Sequence, residues 1–183
     1  MSREQFWFFH PFRVRYSEID GQGVVFNAHY LTYFDTAITE YFRALGFDQY
    51  ADAQASGIDF HIVKSVIEYK APVRFDWELD VGVRVARIGN SSLVFELAIF
   101  LKGGTDALVT GEIVWVYTDQ NPSSGHDPGI DAGADRDTGA SSGAVRLPHT
   151  GRNRFKAGMK KIPRLIAKPM LQRIERSVGR LPR

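Results

Sequence analysis

One long helical repeat followed by four alternating apolar runs constrains this chain more than any other feature. From Ala28 to about Leu45 the residues Tyr30, Phe34, Ala37, Ile38, Tyr41, Phe42 and Leu45 recur at spacings of three and four, which gives a helix a broad buried face. Gly46 follows as a residue suited to end it. A short second helix is expected over Gln49–Ala55, closing at Gly57. The run Phe60–Ala71 is rich in β-branched and aromatic residues and stops at Pro72. Glu78–Ile88 sets Leu79, Val81, Val83 and Val85 on one face, and Ser92–Leu101 does the same with Leu93, Phe95, Leu97, Ile99 and Leu101. Ala107–Tyr117 repeats the pattern with Val109, Ile113, Trp115 and Tyr117. A period of two is that of a strand, and Gly89-Asn90 and Gly103-Gly104-Thr105-Asp106 are turn signals between runs. Residues 6–16 read as a further strand, with Phe12, Val14 and Tyr16 on one face and Arg13 and Arg15 on the other. Together these elements predict an α+β domain whose antiparallel sheet buries one helix.

The 183 residues suffice for one such domain and an appendage. The domain is expected over 1–119. From 120 to 145 Gly, Asp, Ser, Pro and Ala dominate, a composition that cannot offset its ordering entropy and predicts a disordered linker. Residues 146–183 hold twelve Lys/Arg against one acid, Glu175, leaving about +11, whereas 1–145 hold eleven bases against twenty acids, leaving about −9. The pI near 8.9 therefore describes the tail, and nucleic-acid binding does not follow from it. Within the tail Met170, Leu171, Ile174 and Val178 fit one face of a short amphipathic helix starting near Pro169. For such a segment an anionic membrane surface ranks first as the expected contact, ahead of nucleic acid or the domain's own acidic surface. The absence of cysteine excludes disulfides, thiolate metal sites and a cysteine nucleophile. The N-terminal residues lack a secretory signal pattern, which predicts a cytoplasmic protein, peripheral to the inner membrane through its tail.

One carboxylate stands out between the first strand and the long helix. Asp20 is followed by Gly21 and Gly23 and then by Asn27, a natural cap for a helix beginning at Ala28. An Asp before Gly often bonds its own backbone in a turn. Beside a helix N-terminus it has a second use: the acid serves as base or nucleophile while free N–H groups stabilise a substrate oxyanion.

Residues 12–118 resemble the hotdog-fold thioesterases of the 4-hydroxybenzoyl-CoA thioesterase type, including the bacterial Tol–Pal-associated acyl-CoA thioesterases. The resemblance is carried by Val14-Arg15-Tyr16-Ser17-Glu18-Ile19-Asp20-Gly21-Gln22-Gly23-Val24-Val25-Phe26, close to that family's Arg-Tyr-x-Glu-x-Asp-x-x-Gly-Val-Val-Tyr signature. It continues through Asn27-Ala28-His29-Tyr30-Leu31-Thr32-Tyr33-Phe34-Asp35, Glu40-Tyr41-Phe42-Arg43-Ala44-Leu45-Gly46, Ile67-Glu68-Tyr69-Lys70-Ala71-Pro72-Val73-Arg74-Phe75-Asp76 and Ile88-Gly89-Asn90-Ser91-Ser92-Leu93. It implies an antiparallel sheet wrapped around one helix and hydrolysis of acyl-CoA to carboxylic acid and CoA. Asp20 falls on the family's catalytic aspartate, as nucleophile or general base, and the backbone amide of Asn27 would polarise the carbonyl. Family members often carry Tyr or His at the Asn27 position. Substrate contacts are implied for Gly23, Val24, Tyr30, Lys64, Arg87 and the Ser91-Ser92 turn, with no metal or cofactor and assembly as a homodimer or homotetramer. Two other readings stay open: a thioesterase for acyl-carrier-protein substrates, and a non-catalytic acyl-CoA-binding module. A dehydratase of the same fold would need an Asp/His pair that is not seen.

The remaining candidates have simpler readings. Glu18 shares a face with Asp20, and pairing with Arg13 or Arg15 is favoured over raising the Asp20 pKa. His29 is in the first helical turn, but the resemblance assigns the chemistry to Asp20. His61 is read as a packed interface residue, and His10, His126 and His149 show no metal-ligand spacing. Gly21-x-Gly23 lacks the third glycine of a dinucleotide fingerprint. Tyr30, Phe34 and Tyr41 are read as core and acyl-pocket wall.

Overall fold

The structure, a computed structural model, describes residues 1–119. The linker and basic tail expected from sequence lie outside the described residues. Five strands, β1 (Phe8–Arg13), β2 (Ile58–Tyr69), β3 (Glu78–Ile88), β4 (Ser92–Leu101) and β5 (Ala107–Asp119), form one antiparallel sheet in the order β1-β3-β4-β5-β2. Helix α1 (Asn27–Ala44) packs on one face of it, the hotdog arrangement, and a short α2 (Gln49–Ser56) ends at Gly57 with φ of 69°. Among the described residues no helix is long and apolar enough to cross a membrane.

The core follows the alternation in the strands. Leu79, Val81, Val83 and Val85 of β3, Leu93, Phe95, Leu97 and Ile99 of β4, and Val109, Ile113, Trp115 and Tyr117 of β5 are all buried. Against them stand Tyr30, Tyr33, Phe34, Ala37, Ile38, Tyr41 and Phe42 of α1. The opposite face carries a smaller cluster, in which Phe6 covers Ala98 and Phe100 and the Arg3 guanidinium stacks on Phe9 and Phe100 while bonding Asp80.

Four local expectations are corrected. Leu101 is exposed, because the strand ends there in the turn at Gly103 and no helix covers it. The first strand stops at Arg13 rather than continuing to Tyr16; Tyr16 opens a 3-10 turn, Tyr16–Glu18, and is 81% exposed. Leu45 is only partly buried, whereas Tyr33, not counted on the apolar face, is fully buried. Asn27 does not cap α1. It is the first helical residue, and Phe26 occupies the cap position with extended backbone and no side-chain bond. The backbone accounts for this: Phe26 N–H donates to the Glu18 carbonyl and Val25 N–H to the Val73 carbonyl, so tertiary pairing fixes the helix entry one residue early.

Close approach of α1 to the sheet depends on Gly111 in β5. A Cβ built there would stand 2.6 Å from Phe34 Cε2, and Phe34 is fully buried with no room to move. Gly111→Ala is therefore expected to lower stability by about 1–3 kcal/mol, measured as the midpoint and slope of urea unfolding.

Candidate active site

A chain reversal between the 3-10 turn and α1 presents Asp20. Its N–H donates to the Val24 carbonyl at 2.9 Å, and its own carbonyl accepts from Gly23 N–H at 3.0 Å. This tight reversal needs a residue with positive φ, which Gly23 supplies at 74°. An isolated bridge between Ile19 and Val25 closes the base of the loop. Asp20 Oδ1 accepts from Gln22 N–H at 2.8 Å. That is the turn role expected of an Asp-Gly pair. It employs one carboxylate oxygen; among the described residues none donates to Oδ2.

Glu18 holds this loop from below. Its Oε2 accepts the Arg15 backbone N–H at 2.8 Å and the Tyr33 hydroxyl at 2.5 Å, while its carbonyl takes Phe26 N–H at 2.9 Å. The expected pairing with an arginine side chain is thus replaced: Glu18 bonds the Arg15 backbone, and the Arg13 guanidinium goes to Asp76 and Glu78. Burial, then the bond to the Glu18 carboxylate, push the Tyr33 phenol far above its ordinary pKa, so its hydroxyl remains a donor. Burial also raises the Tyr30 phenol, opposed by a backbone contact from Val73 and reinforced by the nearby Tyr69 and Asp20.

A cleft of about 690 Å³ opens above the loop. One wall is formed by residues 20–22, 24–27 and Tyr30; the other is the end of β2 and the turn after it, Tyr69, Lys70, Ala71 and Pro72. The Tyr30 and Tyr69 rings meet edge to face at 5.2 Å, and the Tyr69 hydroxyl lies 3.5 Å from the Asn27 carbonyl. Asn27 N–H is at the first position of α1 and has no acceptor among the described residues, as expected for a helix N-terminus. The cleft thus combines a carboxylate with a free oxygen, an unsatisfied backbone donor at the positive end of an 18-residue helix, and apolar walls. Such a set suits addition to a carbonyl.

Of the residues singled out in the sequence, Asp20, Val24, Asn27 and Tyr30 line this cleft, and Gly23 supports its turn. Lys64 lies elsewhere: it pairs with Glu112 at 2.8 Å and lines a separate groove of about 330 Å³. Arg87, Ser91 and Ser92 lie around the β3–β4 turn, where Ser91 O accepts Tyr117 N–H and Ser92 opposes Val116. Since Tyr117 opposes Phe60, that turn sits at the far end of β2 from Tyr69, about 30 Å away at the rise of a strand. His29 does not line the cleft; its ring stands edge-on to Phe26. His61 is exposed on β2 and the His10 ring packs on Phe12. His126 and His149 lie outside the described residues. Among the described residues no cluster of three or more His, Asp or Glu could hold a metal. Tyr69 and Lys70 also line the cleft; the sequence reading quoted them within the resemblance but gave them no site role.

With this geometry in view, the chain was compared with known proteins. The sequence profile of the Thioesterase superfamily matches residues 22–108. The chain is 36% identical over 85 residues to the acyl-CoA thioester hydrolase YbgC of Escherichia coli O6:H1, a match covering 46% of this chain and 63% of that protein, so it spans less than two thirds of that relative. A putative esterase of Synechocystis is 30% identical over 113 residues, covering 62% of this chain and 68% of that protein. Among solved structures, the PA5185 protein of Pseudomonas aeruginosa superposes with a TM-score of 0.60 at 31% identity, covering 87% of this chain and 96% of that one. In sequence and in fold, the chain belongs to the thioesterase superfamily.

Proposed function

We propose that this protein hydrolyses acyl-CoA thioesters to a carboxylic acid and CoA. One observation carries the reading: the free oxygen of Asp20 and the free N–H of Asn27 line the same cleft. Relatives named as acyl-CoA thioester hydrolases support the same substrate class. The Asn27 amide polarises the thioester carbonyl and stabilises the oxyanion, a contribution of roughly 3–4 kcal/mol to the barrier. The Asp20 carboxylate either removes a proton from an attacking water or attacks the carbonyl carbon itself. In the first route the tetrahedral adduct expels the CoA thiolate, which takes the proton held by Asp20. In the second, the thiolate leaves from an enzyme-bound anhydride, which water then cleaves.

The assembly proposed is a dimer through β2. Among the described residues this 12-residue strand pairs only with β5, and nothing pairs with its other edge. Ile62, Val63, Val66 and Tyr69 on it are all more than 40% exposed, and an open edge with apolar side chains is a template for pairing. Antiparallel two-fold pairing would set the Tyr69 end of one β2 beside the Ile58 end of the other. The β3–β4 turn of a second copy, with Arg87, Ser91 and Ser92, would then share an end with the cleft of the first.

Three measurements test these statements. Thiol release from aromatic, short and long acyl-CoAs is expected from the wild type and is expected to fall by about 100-fold or more in Asp20→Asn; equal release by the variant would overturn the assignment. Because Tyr33 reaches the substrate only through Glu18 and the loop, Tyr33→Phe is expected to lower kcat about tenfold while KM stays within about twofold. Ile62→Lys is expected to shift the sedimentation mass from dimer to monomer, and a wild type that is monomeric at micromolar concentration would dismiss the β2 interface.

A further inference from the structure

Ionic pairing across the described domain is uneven. Arg3, Arg13, Arg43, Lys64, Arg84 and Lys102 each hold a carboxylate. Arg15, Lys70, Arg74 and Arg87 have no carboxylate partner among the described residues. One of these four lines the Asp20 cleft, and two more lie on segments bonded to the loop that forms its wall. Lys70 lines it. Arg74 follows Val73, whose carbonyl takes Val25 N–H from the facing wall. Arg15 precedes Tyr16, whose ring meets Phe75 edge-on at 5.7 Å. Uncompensated positive charge beside a cleft raises the local concentration of anions, and in this cleft the one acidic lining residue is Asp20.

The position of Lys70 narrows the kind of anion. Its neighbour Tyr69 lies with its hydroxyl 3.5 Å from the carbonyl of Asn27, the residue whose N–H marks the reacting carbonyl. Lys70 itself lines the same cleft as Asp20 and Asn27, so its ammonium is available to an anion bound there. The phosphates of CoA lie much further out: the peptide-like pantetheine arm is roughly as long as four extended residues, about 14 Å. An anion within a few bonds of the carbonyl belongs instead to the acyl group.

We propose that Lys70 forms an anion subsite of the Asp20 cleft that selects thioesters whose acyl group carries a carboxylate, as in the monothioester of a dicarboxylic acid. Arg74 and Arg15 add long-range attraction, while Lys70 makes the contact. The proposal rests on the thioesterase reading and is tested so that the two fail separately.

The probes are succinyl-CoA, butyryl-CoA and succinyl-pantetheine, with the wild type, Lys70→Ala and Lys70→Arg. The wild type is expected to prefer succinyl-CoA over butyryl-CoA in kcat/KM. Lys70→Ala is expected to raise KM for succinyl-CoA about tenfold while leaving butyryl-CoA within about twofold, as for the loss of one charge-assisted hydrogen bond. The same penalty is expected with succinyl-pantetheine, which lacks the phosphates, and Lys70→Arg is expected to restore most of the preference. A penalty that vanishes with succinyl-pantetheine would assign Lys70 to a CoA phosphate and overturn the proposal, as would equal KM values for Lys70→Ala and wild type on every probe. Calorimetric titration of the two acyl-CoAs into Asp20→Asn, with and without Lys70→Ala, reads the subsite independently of turnover. Loss of the succinyl preference on removing Lys70 supports the subsite even where no thiol is released, an outcome that would sink hydrolysis alone.

Discussion

Everything in this domain depends on how closely α1 can lie against the sheet. The helix brings seven buried side chains, four of them Tyr or Phe at its centre and end, to a surface already filled by alternate residues of β3, β4 and β5. Fitting them requires a gap, and Gly111 provides it under Phe34. Packing at this density leaves few alternative placements, so the axis and the N-terminus of α1 are fixed together. A helix fixed along its whole length by Phe34, Ala37, Ile38, Tyr41 and Phe42 can hold its first residue still without a side-chain cap. In the proposed reaction that first turn supplies the backbone donor.

The loop before the helix is then placed by a small number of polar contacts. Glu18 gathers Arg15 N–H, Tyr33 hydroxyl and, through its carbonyl, Phe26 N–H. Since Tyr33 belongs to α1, the carboxylate joins the start of the loop to the helix that follows it. The side chain of Asp20, two residues on, is free of such duties except for one bond from Gln22 N–H. The two acids of the Glu-x-Asp motif thus divide the labour: one is consumed by structure, and the other keeps an oxygen for the cleft.

How much of this was legible in the sequence can be judged from particular residues. Period-two runs located β3, β4 and β5 and their inward faces almost to the residue, because burial on one face imposes that pattern directly. The long helix was legible for the same reason. Its start was misplaced, since Asn27 has the chemistry of a cap but the backbone bonds of Val25 and Phe26 to distant segments set the entry. Tyr16 was counted with a strand because the motif before it alternates; only the 3-10 turn that follows reveals it as a surface residue. The turn role of Asp20 was legible from the glycine that follows it, yet the partner of Glu18 was not, because Tyr33 is fifteen residues away and joins it only through tertiary folding. Lys70 was invisible for a similar reason: nothing local distinguishes it from Lys64, and the difference is that Lys64 has Glu112 opposite while Lys70 faces a cleft.

The contrast between those two lysines also bears on how charge is used across the sheet. On the face away from the helix, cations are cancelled by strand neighbours: Arg84 with Glu96, Lys64 with Glu112, Lys102 with Glu78. Exposed pairs of this kind contribute little to stability, but they leave that face with no net appetite for anions. At the cleft, the neighbouring positions are Tyr69, Ala71 and Pro72, which supply no carboxylate. A positive charge there keeps its field for a ligand. The same sheet therefore neutralises its cations on that face and leaves Lys70 uncompensated in the cleft of Asp20, which keeps a free oxygen. An anionic acyl group would complete that arrangement, since it would satisfy the cation without touching Asp20.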